Sequence, residues 1–440
     1  MIYLFFFNRR DQQDSGSRLD FMNDSQKQAI LYAKEHMFSA IEAPPGTGKT
    51  TVASALVHDL LTLNPNWKIL ICAPSNVAAD SLAVNVVKRF KESSDELKLV
   101  RMYAQYIESG KFYHYIPPEI ETTVLHRNEG KPATFLDSAN VICCTCIGAG
   151  DPRLAKFKFD AIVVDEGTLA MDPEILVPIL KANENCKICV FGDRKQLSPI
   201  VKSRKNNSLG LNRSFFVRMH FLYCKDHQYP KLNVQYRMHP SISKFPLMEF
   251  YDEQVSDGIT PEDREINPSL LGEVFPNADH PFVFISHAYE EKQKEIPVAT
   301  HGNATKPSFV NEGEGIVICS YVEKLIQFHA IAPERIGIIA MYKAQAEALN
   351  ETTASKVEVG TVDSFQGREK DFIIVSCVRS NKKRSIGFLS NRRRINVALT
   401  RARYGLIIVG NETTLSKNST FEKLLNFHRM NNALLAYGSN

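Results

Sequence analysis

Residues 43–50 read APPGTGKT, and their types and spacing are those of a loop that wraps phosphate. Gly46 and Gly48 allow backbone N–H groups to turn inward around phosphate oxygens. Lys49 is placed to reach the β- and γ-phosphates and Thr50 to hold Mg²⁺. Thr47 and Thr51 flank them at the positive end of the helix that follows. The first position holds Ala43 where the usual pattern has glycine. It lies where the chain leaves a strand and touches phosphate least, so a methyl is expected to be tolerated there. With Gly or Ala first, a chance match is expected only ~0.03 times in a chain of average composition.

Such a loop needs an acidic partner at the end of a neighbouring strand, and DAIVVDEGT supplies one. Asp165 is the expected Mg²⁺ ligand, directly or through water, and Glu166 the group that polarises an attacking water. A guanine-specific enzyme is disfavoured, because its N-K-x-D signature would need an acid where NKKR places Arg384. The nine cysteines do not suggest a disulfide scaffold. Cys143/Cys146 and Cys186/Cys189 have knuckle spacing but lie in apolar, β-branched runs. Residues i and i+3 of a strand point to opposite faces, so neither pair is expected to hold a metal. The net charge of +4 is small, yet residues 379–403 carry nine arginines and lysines and no acid. That block suits nucleotide phosphates or a nucleic-acid backbone.

The elements that must position these groups follow from hydrophobic pattern. Short apolar, β-branched runs (SAIEA, KILICA, NVICCT, AIVVDE, KICVFGD) alternate with helical stretches in the first half. FVFIS, IGIIAM, FIIVSCV and LIIVG repeat the theme in the second. Strands that are apolar throughout and separated by helices predict parallel sheets covered on both faces. Two such sets predict two doubly wound α/β domains, with the seam near YPKLNVQYRMHP. Residues from about 88 to 138 are expected to be a helical, polar insertion without strands, and residues 252–309 to carry one clear strand. No apolar run reaches the roughly 20 residues of a membrane helix, so a cytoplasmic or nuclear location is expected.

Beyond single motifs, the order NDSQKQAI, APPGTGKT, CAPSNVAADSLA, CCTCIGAGDPRL, VVDEGT, FGDRKQLSPIV, VQYRMHPSIS, GTVDSFQGREKDFIIVSCVRS and RRINVALTRARYGLIIVGN resembles superfamily 1 helicases of the up-frameshift RNA helicase group. The resemblance implies two tandem RecA-like domains: an N-terminal tail at 1–20, a first domain at 21–229 with the insertion, and a second at 230–440. It implies ATP and Mg²⁺ as ligands, with Arg237 and Arg401 as arginine fingers and Gln196 as γ-phosphate sensor. By the same resemblance Gln26 would read the adenine edge, Tyr236 stack on the base and Glu369 bond the ribose, with Gly367 also in the nucleotide site. Ser75, Asn76, Thr145, Thr361 and Asp363 occupy motifs that contact or couple to the nucleic-acid strand. Hydroxyls and amides grip phosphates without reading sequence, which suits a sequence-independent motor.

The function the resemblance implies is an ATP-dependent translocase on single-stranded RNA with 5′–3′ polarity, acting as a monomer. A nucleic-acid clamp without unwinding, and a DNA helicase, are the rival readings. Gly167 departs from the Ser or Ala common after the glutamate and is expected to loosen that turn. Only some 20 residues precede the Gln26 motif, so the Cys/His docking domain of the decay helicase is expected to be absent, in a pared-down paralogue or a fragment.

Overall fold

The computed structural model describes residues 19–438, except 112, 126–131, 224–228, 267–271, 278, 298–304 and 354–355. By spatial clustering the chain forms two units. The first comprises residues up to Glu42, Lys49–Phe191 and Met219–Leu232, and the second comprises Ala43–Gly48, Gly192–Arg218 and Asn233–Asn440.

In the first unit six strands form one sheet: β1 (Phe38–Glu42), β2 (Ile69–Ala73), β3 (Leu99–Arg101), β4 (Val141–Thr145), β5 (Phe159–Val164) and β6 (Ala182–Gly192). Their order is β1-β6-β5-β2-β4-β3, and β2 pairs in parallel with both β4 and β5. β2 reads ILICA and is buried at every residue, the expected pattern for a strand covered on both faces. Helices α1 (Asp24–Glu35), α2 (Lys49–Leu63) and α3 (Asn76–Ser93) supply cover. A segment at residues 230–232 borders β1, with Leu232 N–H donating to the Glu42 carbonyl at 2.9 Å.

The second unit carries another six-stranded sheet: β7 (Phe282–Ser286), β8 (Ile336–Ala340), β9 (Glu358–Thr361), β10 (Lys370–Ser376), β11 (Ala402–Gly410) and β12 (Leu434–Ala436), in the order β9-β8-β10-β11-β7-β12. All five of its pairings are parallel. A buried cluster including Val283, Ile285, Ile338, Ile374 and Ile407 meets Val317, Ile318 and Tyr321 of helix α5. The helices used below are α4 (Pro240–Tyr251), α5 (Glu312–Glu323), α6 (Lys343–Thr352), α7 (Arg392–Leu399) and α8 (Ser419–Met430).

The pattern-based strands all form, and further short strands go beyond them. The segment expected to be helical contributes β3, which pairs in parallel with β4. Three residues, one of them Arg101, are too few to show a period. The region expected to hold one strand adds an antiparallel ribbon, Lys292–Pro297 against Thr305–Val310, whose charged sequence reads as loop. The short strands β9 and β12 were likewise not legible from apolar runs.

Candidate active site

At the C-terminal edge of the first sheet, where open α/β sheets gather ligand-binding residues, four predicted residues converge. The Thr50 hydroxyl donates to Asp165 Oδ2 at 3.0 Å. Lys49 Nζ lies 3.1 Å from Asp165 Oδ1 and also pairs with Glu166 Oε1. Burial works to lower the Lys49 pKa, but the facing carboxylates of Asp165 and Glu166 outweigh it and hold it above the ordinary lysine value. For Asp165 burial dominates and pushes the pKa up, against the opposing effect of Lys49. Hydroxyl and carboxylate oxygens this close are the hard donor pair that Mg²⁺ prefers.

The turn that presents Glu166 is specialised. Glu166 adopts φ +53°, a left-handed conformation rare outside glycine, asparagine and aspartate. Gly167 follows, and a Cβ there would come within 2.4 Å of Val190 Cγ1 and 3.2 Å of the Phe191 carbonyl oxygen. The expectation that Gly167 loosens the turn is therefore corrected. Lack of a side chain lets this turn pack directly against β6.

In the second unit, residues 43–48 form the bend expected to wrap phosphate. Ala43 N–H donates to the Gly192 carbonyl at 2.8 Å and its φ is not positive, so no glycine is needed at that position. Gly46 and Gly48 have φ +74° and +80°, and the Thr47 hydroxyl closes the bend on the Pro44 carbonyl at 2.8 Å. Tyr236 N–H donates to the Gly46 carbonyl at 2.8 Å. A Cβ on Gly46 would come within 2.8 Å of Arg237 Cβ, so Gly46 serves both backbone geometry and close approach. The Tyr236 ring lies against Gly258, where a Cβ would meet its Cε1 at 2.4 Å.

Arg237 Nε donates to Glu369 Oε2 at 2.5 Å and its Nη1 to the Thr400 carbonyl at 3.0 Å. The guanidinium holds the Glu369 carboxyl below its usual range, against the effect of burial. Arg401 is 2% exposed. Its Nη2 donates to Gln196 Oε1 at 3.3 Å and to Thr400 Oγ1 at 2.9 Å, and its Nε to the Val397 carbonyl at 3.0 Å. Arg401 and Glu369 immediately precede β11 and β10, with Gly367 (φ +77°) in the preceding turn. Gln26 is buried in a reciprocal cap at the start of α1, accepting from Asn23 N–H at 3.1 Å while its own N–H donates to Asn23 Oδ1 at 3.0 Å. Its N-x-x-Q spacing carries that signal.

The strand-contact candidates sit at C-terminal strand ends or just beyond them. Ser75 caps α3, accepting from Ala78 N–H at 3.3 Å, and Thr145 Oγ1 accepts from Gly148 N–H at 3.0 Å. Asn76 Oδ1 accepts from Arg101 Nη2 at 3.1 Å. Arg101 is fully buried, and its Nε donates to Asp80 Oδ1 at 2.7 Å. Tyr103 OH and His114 Nε2 meet the same aspartate, each at 2.7 Å. Thr361 ends β9, and Asp363 pairs with Arg394 of α7 at 2.8 Å. The basic block read as a polyanion surface is in large part internally paired. Arg379 meets Glu291 at 2.9 Å and Arg392 meets Glu249 at 2.6 Å.

Sequence reasoning passed over Asp80, Arg101, Asp193, Tyr251 and Asn396, all buried around these groups. Buried charges in helices and strands stand out, but their partners are too distant in sequence to be paired without a fold.

A phosphate loop on one parallel sheet, followed by a second parallel sheet, defines a P-loop protein with two RecA-like domains. Comparison with known proteins narrows the class. Two family models, each described as an AAA domain, match residues 21–116 with 119–204, and residues 211–413. The "Regulator of nonsense transcripts 1 homolog" of Drosophila melanogaster is 36% identical over 94% of this chain and 36% of its own length. "ATP-dependent helicase NAM7" of Saccharomyces cerevisiae is 35% identical over 92% of the chain and 43% of its own length. "ATP-dependent helicase upf1" of Schizosaccharomyces pombe is 33% identical over 90% and 45%. The chain thus spans less than half the length of these relatives. It belongs to the superfamily 1 helicases of the up-frameshift group.

Proposed function

We propose that this chain is an ATP-driven motor on single-stranded nucleic acid, RNA before DNA, moving 5′ to 3′. The observation that carries the reading is the convergence of Lys49, Thr50, Asp165 and Glu166 on one strand edge. The names of relatives, ATP-dependent helicases and regulators of nonsense transcripts, support it. Residues 21–229 and 230–440 are taken as its two catalytic halves. In this reading Lys49 and the N–H groups of the 43–50 bend bind the phosphates. Glu166 accepts a proton from the attacking water. Arg237 and Arg401 neutralise charge that grows on the transferring phosphoryl group. Gln26, Tyr236, Gly367 and Glu369 orient base and ribose. Thr50 and Asp165 would hold Mg²⁺, which supplies charge neutralisation at the phosphate oxygens.

Ser75, Asn76, Thr145, Thr361 and Asp363 are assigned to grip or sense the strand, through groups that contact backbone rather than bases. We place the protein in the cytosol or nucleus, where the buried, unbridged cysteines of the described residues stay reduced. No described helix is long and apolar enough to cross a membrane. Strand displacement from duplexes with a 5′ or a 3′ single-stranded tail, each as RNA and as DNA, tests the proposal at fixed salt. Displacement from the 5′-tailed RNA substrate is expected. Equal rates on both polarities, or binding and ATP turnover without displacement, would contradict it, the latter pointing to a clamp.

A further inference from the structure

Asp193 is the hub of a buried polar network in the second unit. Its Oδ1 accepts from Lys195 N–H at 2.9 Å, and its Oδ2 accepts from Gln196 Nε2 at 2.7 Å and from Tyr251 OH at 2.7 Å. Tyr251 is the last residue of α4 and lies outside every motif quoted above. Asn396 of α7 completes the network, its Nδ2 donating to Tyr251 OH at 2.8 Å and to the Lys195 carbonyl at 2.9 Å. Tyr251, Asp193 and Asn396 are all buried.

The chemistry of these groups fixes the direction of every bond. An amide Nδ2 only donates, so the phenol must accept from Asn396 and give its single proton to Asp193. A carboxylate only accepts, so the Gln196 amide turns its nitrogen toward Asp193 and presents Oε1 to Arg401 Nη2. Burial first, and the Asp193 charge beside it, hold the phenol pKa well above its usual value. The proton that Tyr251 donates therefore stays in place across the working pH range. Asn396 Oδ1 has no hydrogen-bond partner among the described residues, so its amide is held by its two donor bonds.

We propose that Tyr251 is a positioning residue for ATP hydrolysis, fixing Asp193 and through it the Gln196 amide that faces Arg401, without touching substrate itself. This rests on the function proposed above. A phenol serves better than an apolar ring here because it gives the buried carboxylate a third donor, and the one that does not come from the same turn as Lys195 N–H and Gln196.

Tyr251→Phe keeps the ring and removes only the hydroxyl, so it isolates the bond. In steady-state ATP hydrolysis with saturating single-stranded RNA homopolymer, kcat is expected to fall about tenfold. KM for ATP should stay within about twofold of wild type. A purely structural role would lower the folded fraction and the thermal midpoint without this split. Should Tyr251→Phe fail to fold, Asn396→Ser removes the donor on the other side of the same hydroxyl and is expected to lower kcat in the same direction. A folded Tyr251→Phe protein with wild-type kcat, beside an active wild type, overturns this assignment alone. A wild-type chain that turns over no ATP overturns the function proposal, and this assignment with it.

Discussion

The Lys49 ammonium is ion-paired with the Glu166 carboxylate, so the proposed phosphate-binding cation and the proposed general base hold each other. On the proposed function, a phosphate bound by Lys49 competes with this pairing and would free Glu166 to face water. Glu166→Gln keeps shape and removes the base. We expect ATP turnover to fall by about 10²–10⁴-fold while nucleotide binding is retained. Parallel measurement of turnover and of fluorescent-nucleotide affinity checks this, and a variant that loses both to the same extent contradicts the assigned role.

Gly167 supplies a second prediction. Its neighbour Glu166 is already in a left-handed conformation, and Val190 fills the space a Cβ would need. Gly167→Ala is expected to lower stability by about 1–3 kcal/mol through overpacking, read from urea unfolding. It should also lower turnover by displacing Glu166. A variant as stable and active as wild type would show that the turn relaxes freely.

The buried Asp80–Arg101 pair makes a third. Asp80→Asn leaves the Arg101 charge uncompensated, at a cost of about 3–5 kcal/mol if the site cannot relax. Because Arg101 also donates to Asn76, the folded variant should need more single-stranded RNA for half-maximal binding. Unchanged stability together with unchanged RNA affinity would refute both parts.

How much of this could be read from sequence depended on distance along the chain. The 43–50 bend is contiguous, and Asp165–Glu166 announces itself by ending an apolar strand, so these residues were legible. Tyr251 and Asp193 are 58 residues apart, and Asn396 lies 145 from Tyr251. Nothing local marks them as partners, because a tyrosine at a helix end or an asparagine on an apolar face reads equally well as packing. The basic block was legible only in part, for a related reason. Composition showed its charge, but not that Glu249, Glu291 and Asp363 come to meet it from elsewhere in the chain. Gly167 could be seen as a departure, while its cause lay on β6.

Three buried histidines set a pH dependence. Burial lowers the pKa of His239 to about 4 and of His280 to about 4, the latter helped by His239 and Lys244. His428, fully buried beside His280, is lowered to about 3. Unfolded histidine titrates near 6.5, so the unfolded state takes up more protons below that pH. The stability they contribute is complete above about pH 6.5 and is lost as pH falls from there toward about 4 for His239 and His280 and toward about 3 for His428. At pH 5.5 each group costs up to about 1.4 kcal/mol relative to neutral pH. Urea midpoints at pH 7.5 and 5.5 measure the loss, and His428→Phe should show a smaller difference between the two. A difference as large as wild type would place the acid sensitivity elsewhere.

The most direct test of the central claim is steady-state ATP hydrolysis with and without a single-stranded RNA homopolymer, beside Lys49→Ala. The account predicts turnover strongly stimulated by RNA in the wild type and abolished in the variant. ATP binding without RNA-stimulated turnover, or stimulation that survives in Lys49→Ala, would contradict it.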